Sequence, residues 1–322
     1  MTPAVALTAG DPAGVGPELL VRLLRELRGQ DEGSIVVVSS EAELAQGLMQ
    51  AGFDADVDQL ISGAQATLEE VVCDHPGPVG DVSAASGRWA LMALNRALEL
   101  HADGRVAGLQ FGPLNKTSLH LGGMTEPDEM RWFEARLGPT ASASEVNVST
   151  TFWTSRVTSH VALREVADLV TAEAVRDSVL LLHGLLSASG VARPRLAVCA
   201  LNPHAGEHGL FGDEEITAIA PGIALAAESD VEVSGPFPCD TLFRRGFDGT
   251  YDGIVTMYHD QGQIALKTRA FDGGVTLEAG LALPICTPAH GTAFDIVGSG
   301  RASLDSTLNA YRLLCRLVGG AS

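Results

Sequence analysis

The chain repeats one local pattern along its length: a short apolar or β-branched run, a loop rich in glycine and polar residues, and a stretch with helical spacing. This repetition predicts an α/β fold with mostly parallel sheets, because parallel strands need crossover connections that are usually helical. In such sheets, ligand-binding loops follow the carboxyl ends of the strands. The predicted strands are 4–8, 35–38, 106–111, 196–201 and 254–258, and the predicted helices start at Pro17 or cover 41–50, 87–100, 166–188 and 303–317.

Size and charge limit the classes of protein that fit. The 322 residues are 46% hydrophobic, which allows a sizeable core in two domains or one large α/β unit, with no boundary readable from composition. The net charge of −19 disfavours nucleic acid and anionic membranes as partners. We expect no membrane span and no secretory signal. Five scattered cysteines without a CxxC pair favour a reducing cytoplasm over a disulfide framework.

Three histidines, His160, His204 and His259, follow predicted strands or lie in polar loops. They are far apart in sequence, so they form no local zinc motif. Three imidazoles that converge from separate strand ends could bind one divalent metal, which can act as a Lewis acid. Each could equally be an ordinary hydrogen-bonded loop residue, and spacing alone does not separate the two interpretations.

Three other features could contact a ligand. The loop 10–18, which contains Asp11, precedes a helix and is either an anion-binding loop or a tight turn. Lys267 ends the apolar run 263–267, interpreted as a strand, and could meet a substrate carboxylate or lie on the surface. The small-residue segment 290–295 could let the backbone approach a nucleotide or could serve turn geometry alone.

Seven groups of segments form a specific pattern over nearly the whole chain. They are GDPAGVGPE at 10–18, GPLNK at 112–116, TSH at 158–160, LNPHAGE at 201–207, GP at 235–236 with DTLF at 240–243, MYHDQG at 257–262 and HGTA at 290–293. Together they resemble the 4-hydroxythreonine-4-phosphate dehydrogenase (PdxA-like) family. The resemblance implies a two-domain isocitrate/isopropylmalate dehydrogenase-like α/β fold, with a cleft between the domains, in a homodimer. It also implies NAD-dependent oxidation of a secondary alcohol β to a carboxylate, followed by decarboxylation.

The resemblance also assigns roles to the polar side chains. His160, His204 and His259 match three histidines that hold one divalent metal at a site completed across the dimer. Zinc suits three imidazoles best, although nickel, cobalt or manganese could replace it. Lys267 matches a substrate-binding lysine, and Asp260 and Asp240 are candidate metal-shell or proton-relay carboxylates.

The segment at 290–295 corresponds to an adenosine-binding loop in the wider superfamily. The resemblance therefore places NAD, or NADP, at this loop rather than at a GxGxxG turn. The candidate cofactor-binding residues are His290, Gly291, Thr292, Ala293 and Asp295.

Three positions depart from the family's substrate-binding pattern. Met124, beside Thr125, replaces the histidine of a His-Thr-Glu segment. Thr276 stands near a substrate-binding asparagine of the family, and Ile285 near its phosphate-holding arginine. An aliphatic side chain cannot replace the bidentate donor that phosphate recognition favours.

These departures predict that the chemistry is retained on a changed small hydroxy-acid substrate. We expect a non-phosphorylated diol acid, such as an aromatic cis-dihydrodiol carboxylate. The alternative is 4-hydroxythreonine 4-phosphate, or a 4-phosphoerythronate or threonate-type acid, with Arg269 or Arg301 supplying the missing charge. A remote alternative is a non-catalytic ligand-binding relative.

Overall fold

The computed structural model describes residues 4–30, 34–72, 76–269 and 273–319, so Cys73 and His75 lie outside the described residues. The chain divides into two units. The first comprises Met1–Gly138 and Leu283–Ser322, and the second comprises Pro139–Ala282. The chain therefore leaves the first unit and returns to it. Neither crossing is marked by a polar or low-complexity linker, which is why composition gave no boundary.

Five strands of the structure, β1, β2, β4, β7 and β9, lie close to the predicted strands, and the other six strands of the described residues were not predicted. In chain order they are β1 Val5–Thr8, β2 Ile35–Ser39, β3 Ala66–Glu70, β4 Gly108–Phe111, β5 Pro139–Val148, β6 Trp153–Arg156, β7 Arg195–Cys199, β8 Glu232–Phe237, β9 Gly253–Thr256, β10 Val275–Leu281 and β11 Ile285–Pro288. The strand order in the first unit is β3-β2-β1-β4-β11, and its paired strands are parallel. The order in the second unit is β10-β5-β6-β9-β7-β8, where only β5 pairs antiparallel. The prediction of mostly parallel sheets is thus confirmed.

Helices connect the strands in both units. They are α1 Gly16–Glu26, α2 Glu41–Ala51, α3 Val57–Gly63, α4 Ala84–Ala102, α5 Lys116–Gly122, α6 Glu129–Leu137, α7 Val166–Leu169, α8 Ala172–Ala188, α9 Ala220–Ala227, α10 Cys239–Phe247, α11 His259–Arg269 and α12 Asp305–Gly319. Pro17 occupies the first turn of α1, where its missing N–H is not needed, and the leucines of the predicted apolar face are buried. Within the described residues, no helix is both long and apolar enough to cross a bilayer.

One predicted helix and one predicted strand were wrong in detail. The predicted helix 166–188 is broken, because Thr171 starts a new helix by accepting the N–H of Ala174 through its side chain. The run 263–267 is not a strand but part of α11, and this helix also takes up the loop predicted from His259 onward. Short apolar runs do not distinguish a strand from a buried helical segment by period alone.

One carboxyl group is fully enclosed in the core of the first unit. The Glu43 carboxylate on α2 accepts hydrogen bonds from the Ser39 hydroxyl at 2.6 Å and from the Trp89 indole N–H at 2.9 Å. Burial raises the pKa of Glu43 from 4.5 to about 7, because the interior disfavours the charged form. Hydrogen bonds from neutral donors offset this effect only in part.

We predict that replacing Glu43 by glutamine changes how stability depends on pH. The folded state keeps the Glu43 proton up to about pH 7, whereas the unfolded chain releases it near pH 4.5. Because the folded state binds more protons in this window, this group lowers the free energy of unfolding as pH rises through it, by about 3 kcal/mol in total. Urea unfolding of both proteins should give a difference in the free energy of unfolding, E43Q minus wild type, that is about 3 kcal/mol more positive at pH 8 than at pH 4.5. Substitution of the exposed Glu41 on the same helix, E41Q, should not, and equal pH profiles for E43Q and wild type would refute the prediction.

Candidate active site

The three candidate metal histidines follow three neighbouring parallel strands of the second unit. The strand β9 pairs with β6 on one side and with β7 on the other. His160 follows the carboxyl end of β6, His204 follows β7, and His259 follows β9. Each of the three histidines thus lies after the carboxyl end of a strand, including His160, for which no preceding strand was predicted.

Two side chains tie the exits of these strands together. The Thr158 hydroxyl donates to the Met257 carbonyl at 2.8 Å, which joins the segments that lead to His160 and His259. The Gln261 amide accepts the N–H of Met257 at 2.7 Å and donates to the Ala200 carbonyl at 2.9 Å. The start of α11 is thus fixed against the exit of β7 as well as that of β9.

The imidazoles of His160 and His259 lie close to one another, with ring centroids 5.8 Å apart. Nδ1 of His259 lies 2.7 Å from the Asp260 carboxylate. When Nδ1 carries the proton and donates it to Asp260, Nε2 keeps a lone pair that can bind a cation. The pair can therefore supply two nitrogen ligands on one side of the site.

His204 stands in an unusual backbone segment. His204, Ala205, Gly206, Glu207 and His208 all have φ values between 41° and 75°. A non-glycine residue in this left-handed region costs roughly 1–2 kcal/mol, so a run of this kind must be held by its surroundings. The His204 ring contacts Phe211, with centroids 6.3 Å apart.

The single chain does not assemble a complete metal site in its described part. Within residues 4–30, 34–72, 76–269 and 273–319, no group of three or more His, Cys, Asp or Glu side chains is placed to hold a metal ion. His160 and His259 are brought together, and His204 is placed on the neighbouring strand end. Assembly of the full set of three histidines stays a prediction.

The other predicted residues of the second unit are solvent-facing. Lys267 is exposed in the last turn of α11, the helix that begins at His259. Asp240 is exposed in the first turn of α10, and Asp260 is 67% exposed. The guanidinium of Arg269 stacks over the Phe247 ring at 4.8 Å, so this arginine is already engaged. Each of the other three groups is open to a small molecule.

A half-buried polar network beside Thr276 was not predicted. Asn147 lies opposite Thr276 on β5, donates to its hydroxyl at 3.4 Å, and accepts the Gln263 side-chain N–H at 2.6 Å. Arg156 is only 4% exposed; it pairs with Glu145 and donates to the Ser159 hydroxyl at 3.0 Å, next to His160. The alternation of Glu145 and Asn147 along one strand was the sequence signal available for this network.

The candidate cofactor loop of the first unit is interlocked with the loop that follows β1. The N–H of Val15 donates to the Thr292 carbonyl at 3.0 Å. Gly14 lies so close that an added Cβ would be 2.8 Å from the Cβ and the carbonyl oxygen of Thr292. At Gly291, in contrast, an added Cβ would meet nothing within 4 Å. One side of the loop is packed, and the other side is open.

The remaining cofactor-loop residues have distinct environments. Ala293 adopts a left-handed φ of 46°, and His290 Nδ1 lies 3.0 Å from the Gly291 carbonyl. Nε2 of His290 is buried and has no hydrogen-bond partner among the described residues. Asp295 is exposed in a short 3₁₀ turn. The loop therefore presents Gly291 and Asp295 to solvent, whereas Nε2 of His290 is covered in this conformation.

Asp11 holds its own loop together. Its carboxylate accepts the N–H of Ala13 at 2.9 Å, and its side chain is 1% exposed. Burial raises the pKa of Asp11, with the backbone and nearby serine hydroxyls opposing the shift. The N–H of Asp11 donates to the Pro113 carbonyl at 2.9 Å, which links the loops after β1 and β4. These contacts favour the tight-turn interpretation over a ligand contact through this side chain.

The positions that depart from the family pattern are not equivalent in the structure. Met124 is 4% exposed and Ile285 is 0% exposed, so neither side chain presents surface to a small molecule in this conformation. Thr125 is exposed and donates to the Glu126 carboxylate at 3.2 Å. Arg301 is exposed. The loss of polarity at Met124 and Ile285 is therefore accommodated inside the core.

We predict that alanine at Gly14 lowers stability, because the new methyl group overlaps Thr292 and forces the two loops apart. The free energy of unfolding should fall by about 1–3 kcal/mol. The matched control is G291A in the same loop pair, where the space is open and the change should stay within about 0.5 kcal/mol. Urea unfolding of both variants checks this, and equal stabilities would show that the loops are not packed as described.

Two mostly parallel α/β units with polar loops after their strand ends make up a fold that is shared with known enzymes. A β-decarboxylating dehydrogenase from Thermococcus kodakarensis shares the fold, with a TM-score of 0.51 at 14% identity over 95% of this chain and 80% of that chain. That likeness concerns the fold alone. The family model described as "Pyridoxal phosphate biosynthetic protein PdxA" matches residues 31–314, and the chain belongs to this family.

Relatives and solved structures agree with this membership. A protein of Pseudomonas aeruginosa, provisionally named a 4-hydroxythreonine-4-phosphate dehydrogenase, is 46% identical over 98% of this chain and 97% of its own. The D-threonate 4-phosphate dehydrogenase of Salmonella typhimurium is 35% identical over 98% and 99%. Because the relatives are dehydrogenases, the chain is an oxidoreductase.

Two crystal structures of dehydrogenases are similar to this chain over nearly its whole length. A 4-hydroxythreonine-4-phosphate dehydrogenase from Klebsiella pneumoniae matches with a TM-score of 0.82 at 34% identity, over 99% of this chain and 98% of that chain. A terephthalate 1,2-cis-dihydrodiol dehydrogenase from Burkholderia xenovorans matches with a TM-score of 0.70 at 25% identity, over 98% of both chains.

Proposed function

We propose that this chain oxidises the secondary alcohol of a four-carbon hydroxy acid that carries a 4-phosphate, of the 4-hydroxythreonine or threonate type. The relatives that match nearly the whole chain at 46% and 35% identity bear the names of dehydrogenases for these phosphate esters. The observation that carries the proposal is the placement of His160, His204 and His259 at three neighbouring strand ends in a chain of this family. This substrate was the alternative in the sequence analysis, and identity to its relatives moves it ahead of an aromatic diol.

The chemistry follows from the position of the alcohol β to a carboxylate. A bound nicotinamide would accept the hydride from the alcohol carbon, and with loss of the hydroxyl proton this would give a β-keto acid. Such an acid would lose CO₂ and leave an enolate that is then protonated. Asp260, which adjoins His259 in the sequence, and Asp240, in the first turn of α10, are both exposed and would accept and return protons. Lys267 would hold the anionic end of the substrate.

The donor set at the strand ends fits a divalent metal ion. When bound, such an ion would stabilise the negative charge that develops on the substrate oxygen. His160 and His259 would hold it, with His204 as the third ligand. Asp260 would fix the ring of His259 so that Nε2 faces the cation. Three neutral imidazoles suit zinc first, and nickel, cobalt or manganese next.

Association of two copies of the chain would complete this site. Large apolar side chains near each histidine in the sequence are exposed: Val161 by 41%, Leu210 by 71%, Phe211 by 48% and Ile264 by 65%. Exposed apolar surface around a polar site is typical of a surface that another protein covers. We infer that a second copy of the chain covers these residues in a homodimer.

The loop at 290–293 would receive the adenosine part of NAD or NADP. The open space over Gly291 lets the backbone come close to a nucleotide. The His290 ring would hydrogen-bond to adenine after a change of rotamer that uncovers Nε2, an atom with no hydrogen-bond partner among the described residues. Thr292 and Ala293 hold the loop in place from its packed side.

An aromatic cis-dihydrodiol carboxylate is the second candidate substrate. The structural match to the terephthalate dihydrodiol dehydrogenase favours it. It ranks second because that match has 25% identity, whereas the relatives named for phosphate esters reach 46%.

We predict that His160 and His259 are each required for metal binding. After dialysis against trace zinc, the wild-type protein should retain about one divalent ion per chain. The affinity of H160A and of H259A for the ion should fall by more than about a hundredfold. His183 on α8 gives a matched control, and H183A should bind like wild type. Elemental analysis of the dialysed proteins checks this. Metal-free wild-type protein that binds no added divalent ion would contradict the proposed chemistry.

We predict that the phosphate ester is the better substrate and that Lys267 helps to hold it. D-threonate 4-phosphate or 4-hydroxythreonine 4-phosphate should be turned over with a kcat/KM at least about a hundredfold above that of a terephthalate-type cis-dihydrodiol.

K267A should raise KM for the ester by about tenfold, since it removes a charge-assisted contact. K116A, which removes an exposed lysine paired with Glu129 at 3.5 Å, should not. NADH formation measures turnover of both substrates. A higher kcat/KM for the dihydrodiol would establish the second candidate instead.

A further inference from the structure

The segment 201–206, which carries His204, is held by the buried carboxylate of Glu215. Glu215, which lies in the π-helical turn Glu215–Ile219, is only 4% exposed. Its Oε1 accepts the N–H groups of Leu201 and Asn202 at 2.8 and 2.7 Å. Its Oε2 accepts the side-chain N–H of Asn202 at 3.0 Å. Three donors at the exit of β7 therefore converge on one charged group.

The same carboxylate limits the left-handed part of the segment. An added Cβ at Gly206 would lie 2.6 Å from Oε2 of Glu215, so the backbone at Gly206 passes directly over the carboxylate. Gly206 is buried and has a φ of 75°. Glu215 thus contacts the segment on both sides of His204, before it at 201–202 and after it at Gly206.

We propose that Glu215 is a positioning residue that keeps the His204 imidazole in its metal-binding place. The proposal rests on the proposed function, in which His204 is a metal ligand. Glu215 touches neither substrate nor cofactor, and it acts through the backbone of 201–206. Because charged acceptors form stronger hydrogen bonds than neutral ones, a carboxylate holds the two backbone N–H groups more firmly than an amide oxygen would.

Glutamine at position 215 separates this role from simple packing. E215Q keeps the size of the side chain but removes its charge and turns one acceptor into a donor that opposes the Asn202 amide. The matched control is E214Q at the neighbouring position. Glu214 accepts only the Asn202 side chain, at 2.6 Å, and makes no contact with the backbone of the segment.

The first measurement is hydrogen exchange of the metal-free full-length protein. In E215Q the amides of Leu201 and Asn202 should exchange about tenfold faster than in wild type, while those of the core strand β9 should not change. E214Q should exchange like wild type at both places. Unchanged protection of the two amides in E215Q would overturn the proposal, whatever the protein binds.

The second measurement is Co²⁺ affinity, followed through its visible absorption well below the unfolding temperature. Affinity should fall about 10- to 100-fold in E215Q, as expected when a group that orients a ligand is lost, and kcat should fall while KM for NAD is kept. E214Q should bind within threefold of wild type. Wild-type affinity in E215Q would overturn the positioning role. If wild type itself binds no Co²⁺, the proposed function fails, and hydrogen exchange still decides whether Glu215 holds the segment.

Should E215Q fail to fold, N202A offers a milder variant. It removes the side-chain hydrogen bonds of Asn202 to Oε2 of Glu215 and to Glu214, so E214Q controls for the second of them. Both backbone hydrogen bonds to Oε1 of Glu215 remain. The proposal then requires a smaller loss of Co²⁺ affinity than in an H204A variant but a measurable one, of about threefold or more. Affinity equal to wild type in N202A, with faster exchange also absent, would count against the proposal.

Discussion

Parallel hydrogen bonding between β6, β9 and β7 is the constraint on which the candidate metal site depends. Parallel neighbours run in the same direction, so the residues that follow them emerge at one edge of the sheet. Thr158 and Gln261 then fix the three exits to one another through the carbonyls of Met257 and Ala200. His160 and His259 are brought to 5.8 Å by this arrangement, although 99 residues separate them (259 − 160). No local sequence motif could have produced that proximity.

Elements whose cause is local could be predicted from the sequence, and elements that depend on tertiary contacts could not. The β-branched run of β2 and the proline-led, leucine-rich face of α1 were recognisable because each carries its own signal. The run 263–267 was misread as a strand because its apolar residues lie within a helix that a side chain from Gln261 helps to start. The discontinuity at Gly138 and Leu283 had no signal at all, since the chain passes between units within ordinary sequence.

The site shows the same division. Family motifs pointed to the histidines and to the loop at 290–293, because each motif is a distinct run of residues in the sequence. Motifs alone could not tell that Met124 and Ile285 face the core rather than a ligand, since alignment with a family pattern carries no information on burial. Glu215 was missed because an acidic residue on a helical turn usually faces solvent. Only its convergence with the N–H groups of Leu201 and Asn202 distinguishes it.

The two units stabilise their functional loops by different physical means. In the first unit, absence of a side chain at Gly14 lets one backbone rest directly against Thr292. In the second unit, a buried charge gathers backbone donors around Glu215 and offsets the unfavourable left-handed run at 204–208. A steric device of the first kind fails through any added atom, whereas an electrostatic device of the second kind fails through loss of charge at unchanged volume. The two loops should therefore differ in their response to a substitution that keeps the volume of a side chain: loss of charge at Glu215 disrupts the second loop, whereas the loop at Gly14 is disrupted by an added methyl group and depends on no charge.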